Sequence, residues 1–212
     1  FLTHFHSDHY GGLGLDFSYG RIFCTPTTAA LVKLKLKPEK GCVIPLEYDR
    51  EYDIPVGGQN VKVHMLRANH CPGAACILFR FATGREVLHV GDFRWDKSIL
   101  LQSSLHYIRL QREAASSINK NLSVYLDTTY CDEKYVFPPQ KDSVNAVLQS
   151  MQEEIGKPGK TLFCFGAYSI GKEKVYMAAA ELLGTRVYCE KSRRQMMMCF
   201  DWTPDELVRI TT

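Results

Sequence analysis

The run His4-Phe5-His6-Ser7-Asp8-His9 places four metal-binding side chains within six residues and constrains this chain more than any other stretch. In an extended segment side chains alternate sides, so His4 and His6 share a face while Phe5 turns toward a core. A backbone that becomes helical near Ser7 brings Asp8 and His9 to the same end of that strand, where they serve a second ion. Imidazole nitrogen and carboxylate oxygen without thiolate suit zinc, manganese or iron. They also leave coordination positions open for water, as catalytic sites do. A satisfied surface cluster of histidines is the bland alternative, and the flanking apolar Leu2 and Phe5 weigh against it.

Two ions need more ligands than this run holds. His70 follows an alternating stretch, residues 61 to 66, in Asn69-His70-Cys71-Pro72-Gly73, and Asp92 follows residues 86 to 90 in Gly91-Asp92-Phe93. Loops at strand ends are where a rigid scaffold displays ligands. The expectation is therefore that His4, His6, His70 and Asp92 hold one ion, while Asp8, His9 and a shared Asp92 hold the other.

The surrounding pattern gives strands with tight turns over residues 1 to 130. Thr25 and Pro26 cap and open a helix through Leu36 that Pro38 stops, with Lys33, Lys35 and Lys37 matching its dipole. Val61, Val63 and Met65 alternate with Lys62, His64 and Leu66 after Gly57-Gly58, which places His64 on the outer face of a half-buried strand. Residues 74 to 81 and 86 to 90 read as a hairpin around Thr83-Gly84, and residues 122 to 127 as another strand. Residues 97 to 120 show no sustained periodicity and are assigned no chemistry.

Beyond Tyr130 the texture changes to alternating helix and strand. Val144, Val147, Leu148, Met151 and Ile155 share a helical face, residues 161 to 165 read as a buried strand, and residues 172 to 183 as a helix stopped by Gly184. A strand over residues 186 to 189 and a capping box at Thr203-Pro204-Asp205-Glu206 follow. This alternation implies a parallel sheet and a second domain, with the boundary near residues 131 to 140, marked by Pro138-Pro139.

Gly166 to Lys172 nearly fits a nucleotide-binding phosphate loop, but Glu173 stands where that motif needs Ser or Thr for magnesium, which argues against nucleotide triphosphates. The helix start with Ser169, Gly171, Lys172 and Lys174 remains a candidate site for a single terminal phosphate, against the plainer reading of a strand-to-helix turn. Met196-Met197-Met198 reads as apolar filler, and Lys191, Arg193 and Arg194 as a solvated helix face.

Taken together, the chain strongly resembles the metallo-β-lactamase-fold nucleases that carry a β-CASP domain. The matching runs are Phe1-Leu2-Thr3-His4-Phe5-His6-Ser7-Asp8-His9, Ala68-Asn69-His70-Cys71-Pro72-Gly73-Ala74, His89-Val90-Gly91-Asp92-Phe93-Arg94 and Tyr125-Leu126-Asp127-Thr128-Thr129-Tyr130-Cys131. The last of these and Tyr168-Ser169-Ile170-Gly171-Lys172-Glu173-Lys174 are similar to the DNA interstrand cross-link repair exonuclease branch, kin to Artemis. The resemblance implies an α/β fold, with a partial αββα sandwich over residues 1 to 130 and a partial β-CASP domain over residues 131 to 212. It also implies that the first is incomplete at its N-terminal side and the second at its C-terminal side. His4, His6, Asp8, His9, His70 and Asp92 would be the ligands, with Asp8, Asp92 and Asp127 in catalytic positions and Asp127 orienting a ligand histidine or merely capping a turn. The implied activity is zinc-dependent 5′-to-3′ hydrolysis of DNA in the nucleus, on single strands or ends bearing a 5′-phosphate. An RNA-processing endonuclease or a small-molecule hydrolase of the same fold are the alternatives.

Composition bounds this reading without deciding it. With 212 residues, 45% of them apolar, the chain can build real cores, and a net charge of +3 is compatible with a polyanion but does not demand one. The eight cysteines never occur as Cys-x-x-Cys and read as thiols of a reducing compartment rather than a disulfide frame or zinc ribbon. No stretch approaches a membrane span in length, and the non-methionine start so close to the metal run is expected of a fragment.

Overall fold

Gly57 and Gly58, at φ 56° and 79°, close a two-residue turn between β3 (Glu51–Val56) and β4 (Gln59–Arg67), because left-handed backbone at both positions matches the strand twist. From this hairpin a five-stranded sheet grows in the order β3-β4-β5-β6-β7, with β5 at Ala75–Phe81, β6 at Glu86–His89 and β7 at Leu122–Tyr125. The first four strands are antiparallel, and β7 lies parallel to β6 with Glu86 opposite Leu122. This is a computed structural model that describes residues 1 to 96 and 122 to 212. Its described residues divide into two compact units, Phe1–Thr129 and Tyr130–Thr212. The stretch to which no chemistry was assigned, residues 97 to 120, lies outside the described residues.

The middle of the sheet is buried on both faces. Val61, Val63, Met65, Ala75 and Ile77 pack with Leu46 and Ile54 on one side, while Leu66, Ala68, Ala74, Cys76, Leu78 and Val90 form a second cluster on the other. His64 does face away from Val63 and Met65, but it is buried rather than outward. Its Nε2 lies 3.0 Å from Glu51 Oε2. Burial there is tolerable because an acidic partner sits on the neighbouring strand.

A parallel pair, β1 (Ile22–Cys24) and β2 (Val43–Pro45), is bridged by α1 (Pro26–Lys35), whose N-cap is Thr25 as the sequence predicts. Residues 1 to 5 run extended beside them. Leu2 N–H donates to Phe23 O at 2.9 Å and Ala75 N–H to Thr3 O at 2.9 Å, so the opening segment lies between β1 and the start of β5. That placement sets His4 at the sheet end where β4 leaves, β5 enters and β6 finishes.

In the second unit, α2 (Gln140–Ile155) and α3 (Glu173–Leu182) are followed by β8 (Val187–Tyr188), α4 (Lys191–Met197), α5 (Pro204–Val208) and β9 (Ile210–Thr211). β8 and β9 pair in parallel, and the Thr203–Glu206 capping box forms as the sequence predicts. Residues 161 to 165 do not form the expected buried strand. They carry no regular secondary structure and are mostly exposed, since a strand exists only through its ladder and no described strand pairs with them. The apolar face of α2 buries only Met151, leaving Val147 and Ile155 exposed. Met196 and Met197 are core, as predicted, but Met198 is 48% exposed, and Arg193 leaves the solvated face and donates to Tyr168 O. All eight cysteines are thiols, but Cys131 and Cys164 are exposed. No helix of the described residues is long and apolar enough to cross a membrane.

Candidate metal centre

The opening segment turns back at His6, whose carbonyl accepts the N–H groups of His9 at 3.0 Å and Tyr10 at 3.1 Å. The turn swings His9 toward His4, while Phe5 is buried and stacks on Tyr10 with ring centroids 4.5 Å apart. His4 is fully buried. Its Nδ1 lies 3.1 Å from Thr3 Oγ1, which leaves Nε2 to face the cluster.

The His70 loop is pinned from three sides. Thr25 Oγ1 donates to Gly73 O at 2.6 Å, Thr28 Oγ1 to the same carbonyl at 3.0 Å, and Tyr48 Oη to Ala74 O at 2.9 Å. Asn69, at φ 55°, and the Ala74 N–H to Cys71 O bond of 3.0 Å shape the turn itself. The Asp92 loop is tied to the same region by Arg94 N–H donating to Ala68 O at 2.9 Å. Gly91, at φ 59°, donates its N–H to His89 Nδ1 at 3.1 Å.

These supports converge the ligand atoms. His6 Nδ1 lies 3.0 Å from His4 Nε2 and 3.3 Å from His70 Nε2. Asp92 divides its oxygens: Oδ2 is 3.5 Å from His70 Nε2 and 3.7 Å from His4 Nε2, whereas Oδ1 is 3.2 Å from His9 Nε2. A tetrahedron built on metal–nitrogen bonds of about 2.0–2.1 Å has edges of about 3.3 Å, so these separations fit donors around an ion. Burial, with the neighbouring His9, His6 and His70, pushes the His4 imidazole down to about 3, and burial lowers His70 against the opposing pull of Asp92. Both rings are thus held neutral near neutral pH, with lone pairs available to a cation.

Two ligand groups result: His4, His6, His70 and Cys71 in one, and His4, His9 and Asp92 in the other, each with donor atoms within 4.8 Å of one another. Such groups are compatible with a metalloprotein. Asp8 falls outside both; its carboxylate is 3.5 Å from His9 Nε2 but 75% exposed, because the turn after Ser7 directs it outward. Cys71 is the residue sequence reasoning missed. Its signal was adjacency to His70 in a constrained loop, but its apolar surroundings made it read as a core thiol. Asp127 uses Oδ1 in a local turn, accepting from Thr129 N–H at 3.0 Å and Thr129 Oγ1 at 2.7 Å. Those hydrogen bonds lower its carboxyl, and the nearby His70 and His9 reinforce the shift.

Of the residues proposed for a phosphate, Gly171 already donates its N–H to Glu173 Oε1 at 2.7 Å, and Lys174 Nζ donates to Gln140 Oε1 at 2.7 Å. Lys172 caps α3 in the left-handed region at φ 67° and donates to Gly166 O at 3.2 Å. Ser169 contributes its carbonyl to Arg193 at 3.4 Å.

The chain is similar to a set of known repair proteins. It is 41% identical to the DNA cross-link repair protein SNM1 of Arabidopsis thaliana over 202 residues, 95% of this chain and 39% of that protein. It is 39% identical to pso2/snm1 of Schizosaccharomyces pombe over 192 residues, 89% of this chain and 32% of the relative. The chain is similar to proteins named for DNA cross-link repair. A third relative, the 5′ exonuclease Apollo of Danio rerio, is 32% identical over 200 residues, 93% of this chain and 32% of its own length. The resemblance read from the motif runs is thereby borne out, and the chain spans less than half the length of each of these relatives. No protein-family model matches the chain.

Proposed function

We propose that this chain carries the metal centre of a DNA nuclease that hydrolyses phosphodiester bonds 5′-to-3′ in cross-link repair. The carrying observation is the division of Asp92 between His9 on one side and His4 with His70 on the other. One carboxylate facing two sets of imidazoles is how a protein seats two cations side by side, and zinc is the ion this donor set suits best. Bound there, such ions supply Lewis-acid polarisation of a phosphate and a water of lowered pKa.

The remaining work falls to the chain's own residues. Thr3 orients His4, the pinned loop of residues 70 to 74 orients His70, and Gly91 presents Asp92. Asp127 acts as a charge near His70 and His9, favouring their orientation toward the cations. In the wider reading, residues 1 to 130 form a metallo-β-lactamase-like sandwich and residues 131 to 212 a β-CASP-like domain, in a nuclear protein. Asp8 is retained as a ligand of the second ion, reached by rotation of its exposed side chain. The names of the SNM1, pso2/snm1 and Apollo relatives support DNA as the substrate class. A terminal 5′-phosphate would be met by Ser169, Lys172 and Lys174, and Gly171 N–H becomes available only if Glu173 releases it.

The test uses the full-length protein on single-stranded DNA bearing a 5′-phosphate or a 5′-hydroxyl, with and without chelator, beside Asp92→Ala. Cleavage should vanish with chelator and fall by about 100-fold or more in the variant, as losses of metal ligation do. Preference for the 5′-phosphate should disappear in Lys172→Ala. Undiminished cleavage by chelated or Asp92→Ala protein refutes the metal reading, and faster cleavage of RNA than of DNA refutes the substrate.

A further inference from the structure

We propose that Glu173 is a two-position latch on the loop of residues 166 to 172: turned onto Gly171 it closes the loop to anions, and turned onto Arg193 and Tyr176 it opens the Gly171 amide to a terminal phosphate. This rests on the reading above that the loop meets a 5′-phosphate, and it adds what decides whether the loop can do so.

The closed position is the one seen. Glu173 is only 6% exposed, and its Oε1 accepts Gly171 N–H at 2.7 Å. A carboxylate oxygen on a backbone amide at the start of α3, a helix of ten residues, sits where an anionic ligand would sit. Phosphate and carboxylate cannot share that amide, because like charges at hydrogen-bond range repel.

The open position is already built. Arg193, on α4, donates through Nη1 to Tyr168 O and to Ser169 O at 3.4 Å, which fixes its guanidinium against the loop. Its Nη2 is buried without a hydrogen-bond partner among the described residues and lies 3.9 Å from the same Glu173 Oε1. Tyr176, three residues along α3 from Glu173, is 5% exposed, and its hydroxyl is likewise buried and unpaired among the described residues. Burial and then Glu173 push that phenol above its usual range while Arg193 draws it down, so both charges act on the hydroxyl.

Buried donors without an acceptor are costly, and two of them beside one carboxylate make a receptacle for it. A displacement of about 1 Å brings Oε1 within charge-assisted hydrogen-bond length of Nη2. The move exchanges the Gly171 bond for bonds to Arg193 and Tyr176, donors that are already out of water. A phosphate that binds only the open loop therefore shifts Glu173 to its second position. Arg193 Nη1 keeps its hold on Tyr168 O and Ser169 O in both positions, so the loop stays in place while the amide changes partner.

The test is the ratio of affinities of the full-length protein for one single strand of DNA with phosphorothioate linkages, bearing either a 5′-phosphate or a 5′-hydroxyl. Contacts with the rest of the strand cancel in this ratio. Tyr176→Phe keeps the ring and removes only an unpaired hydroxyl, so the protein folds, and the preference for the 5′-phosphate should fall about fivefold or more. Glu173→Ala removes the latch and should raise the preference, and adding Tyr176→Phe to it should change nothing further. A merely structural role for the hydroxyl moves none of these ratios. A wild-type preference that Tyr176→Phe leaves untouched, or a loss that persists in the double variant, overturns the latch and leaves the phosphate reading standing. No preference in either the wild type or Glu173→Ala overturns both. Should Glu173→Ala fail to fold, Glu173→Gln, which keeps the bulk and drops the charge, takes its place in the cycle.

Discussion

Gly91 shows how little room the centre leaves. A methyl there would sit 2.8 Å from Thr3 Cβ and 2.9 Å from Thr3 Cγ2, on backbone at φ 59°. Since Thr3 Oγ1 also lies 3.1 Å from His4 Nδ1, Gly91→Ala disturbs two candidate ligands, His4 and Asp92, without removing either. Unfolding in denaturant should report a loss of about 1–3 kcal/mol, and zinc affinity should fall with it. A variant as stable as the wild type would mean that this contact relaxes freely. At this scale the sequence was informative where ligands are contiguous: His4, His6 and His9 meet because six residues hold a strand end and a turn. Cys71 was illegible because its chemistry depends on which side of a loop faces the imidazoles. The exposed placement of Asp8 was illegible for the opposite reason, since the pattern that places His9 inward cannot reveal that the preceding carboxylate points to solvent.

Among elements, an ionic row runs across four neighbouring strands of the sheet. Glu51 on β3 accepts from Lys62 and lies 3.0 Å from His64 Nε2 on β4, while Arg80 on β5 reaches Glu51 at 3.4 Å and Glu86 on β6 at 3.0 Å. The hydrogen bond from Lys62 is foremost in holding the Glu51 carboxyl below its ordinary value of 4.5. A depressed carboxyl contributes stability above its unfolded value and loses it as pH falls below 4.5 toward the folded one. Glu51→Gln should therefore cost about 1 kcal/mol or less near neutral pH, the pair being partly solvated, and the gap from the wild type should close in acid. Denaturant titrations at several pH values would check this; a gap that widens in acid contradicts the ion row. The hairpin of β5 and β6 was legible from Thr83-Gly84, and α1 from Thr25-Pro26, because turn and cap chemistry are local. The strand expected over residues 161 to 165 failed because its apolar run could not announce a partner. The loop before α3 looked like an open anion cradle, yet Glu173 folds back onto Gly171 N–H, a contact that spacing alone conceals.

For the whole molecule, the candidate ligands come from three separated segments, residues 4 to 9, 70 to 71 and 92, so an ion held among them would tie the N-terminal segment to two loops of the sheet. Anything that binds the folded state alone stabilises it, by about 2.7 kcal/mol at a free concentration one hundred times Kd. Chelation should lower the melting temperature of the full-length protein by several degrees, and zinc should restore it; an unchanged melting curve would mean that no ion is held. The described residues separate into compact units between Thr129 and Tyr130. The measurement that bears most directly on the account is the zinc content of the full-length protein, by elemental analysis after dialysis, for the wild type, His4→Ala and His9→Ala. Two ions per chain in the wild type, with His9→Ala keeping one and His4→Ala losing both or all but a trace, is the predicted result. A wild type that retains no zinc, or a His4→Ala variant that retains as much as the wild type, would contradict it.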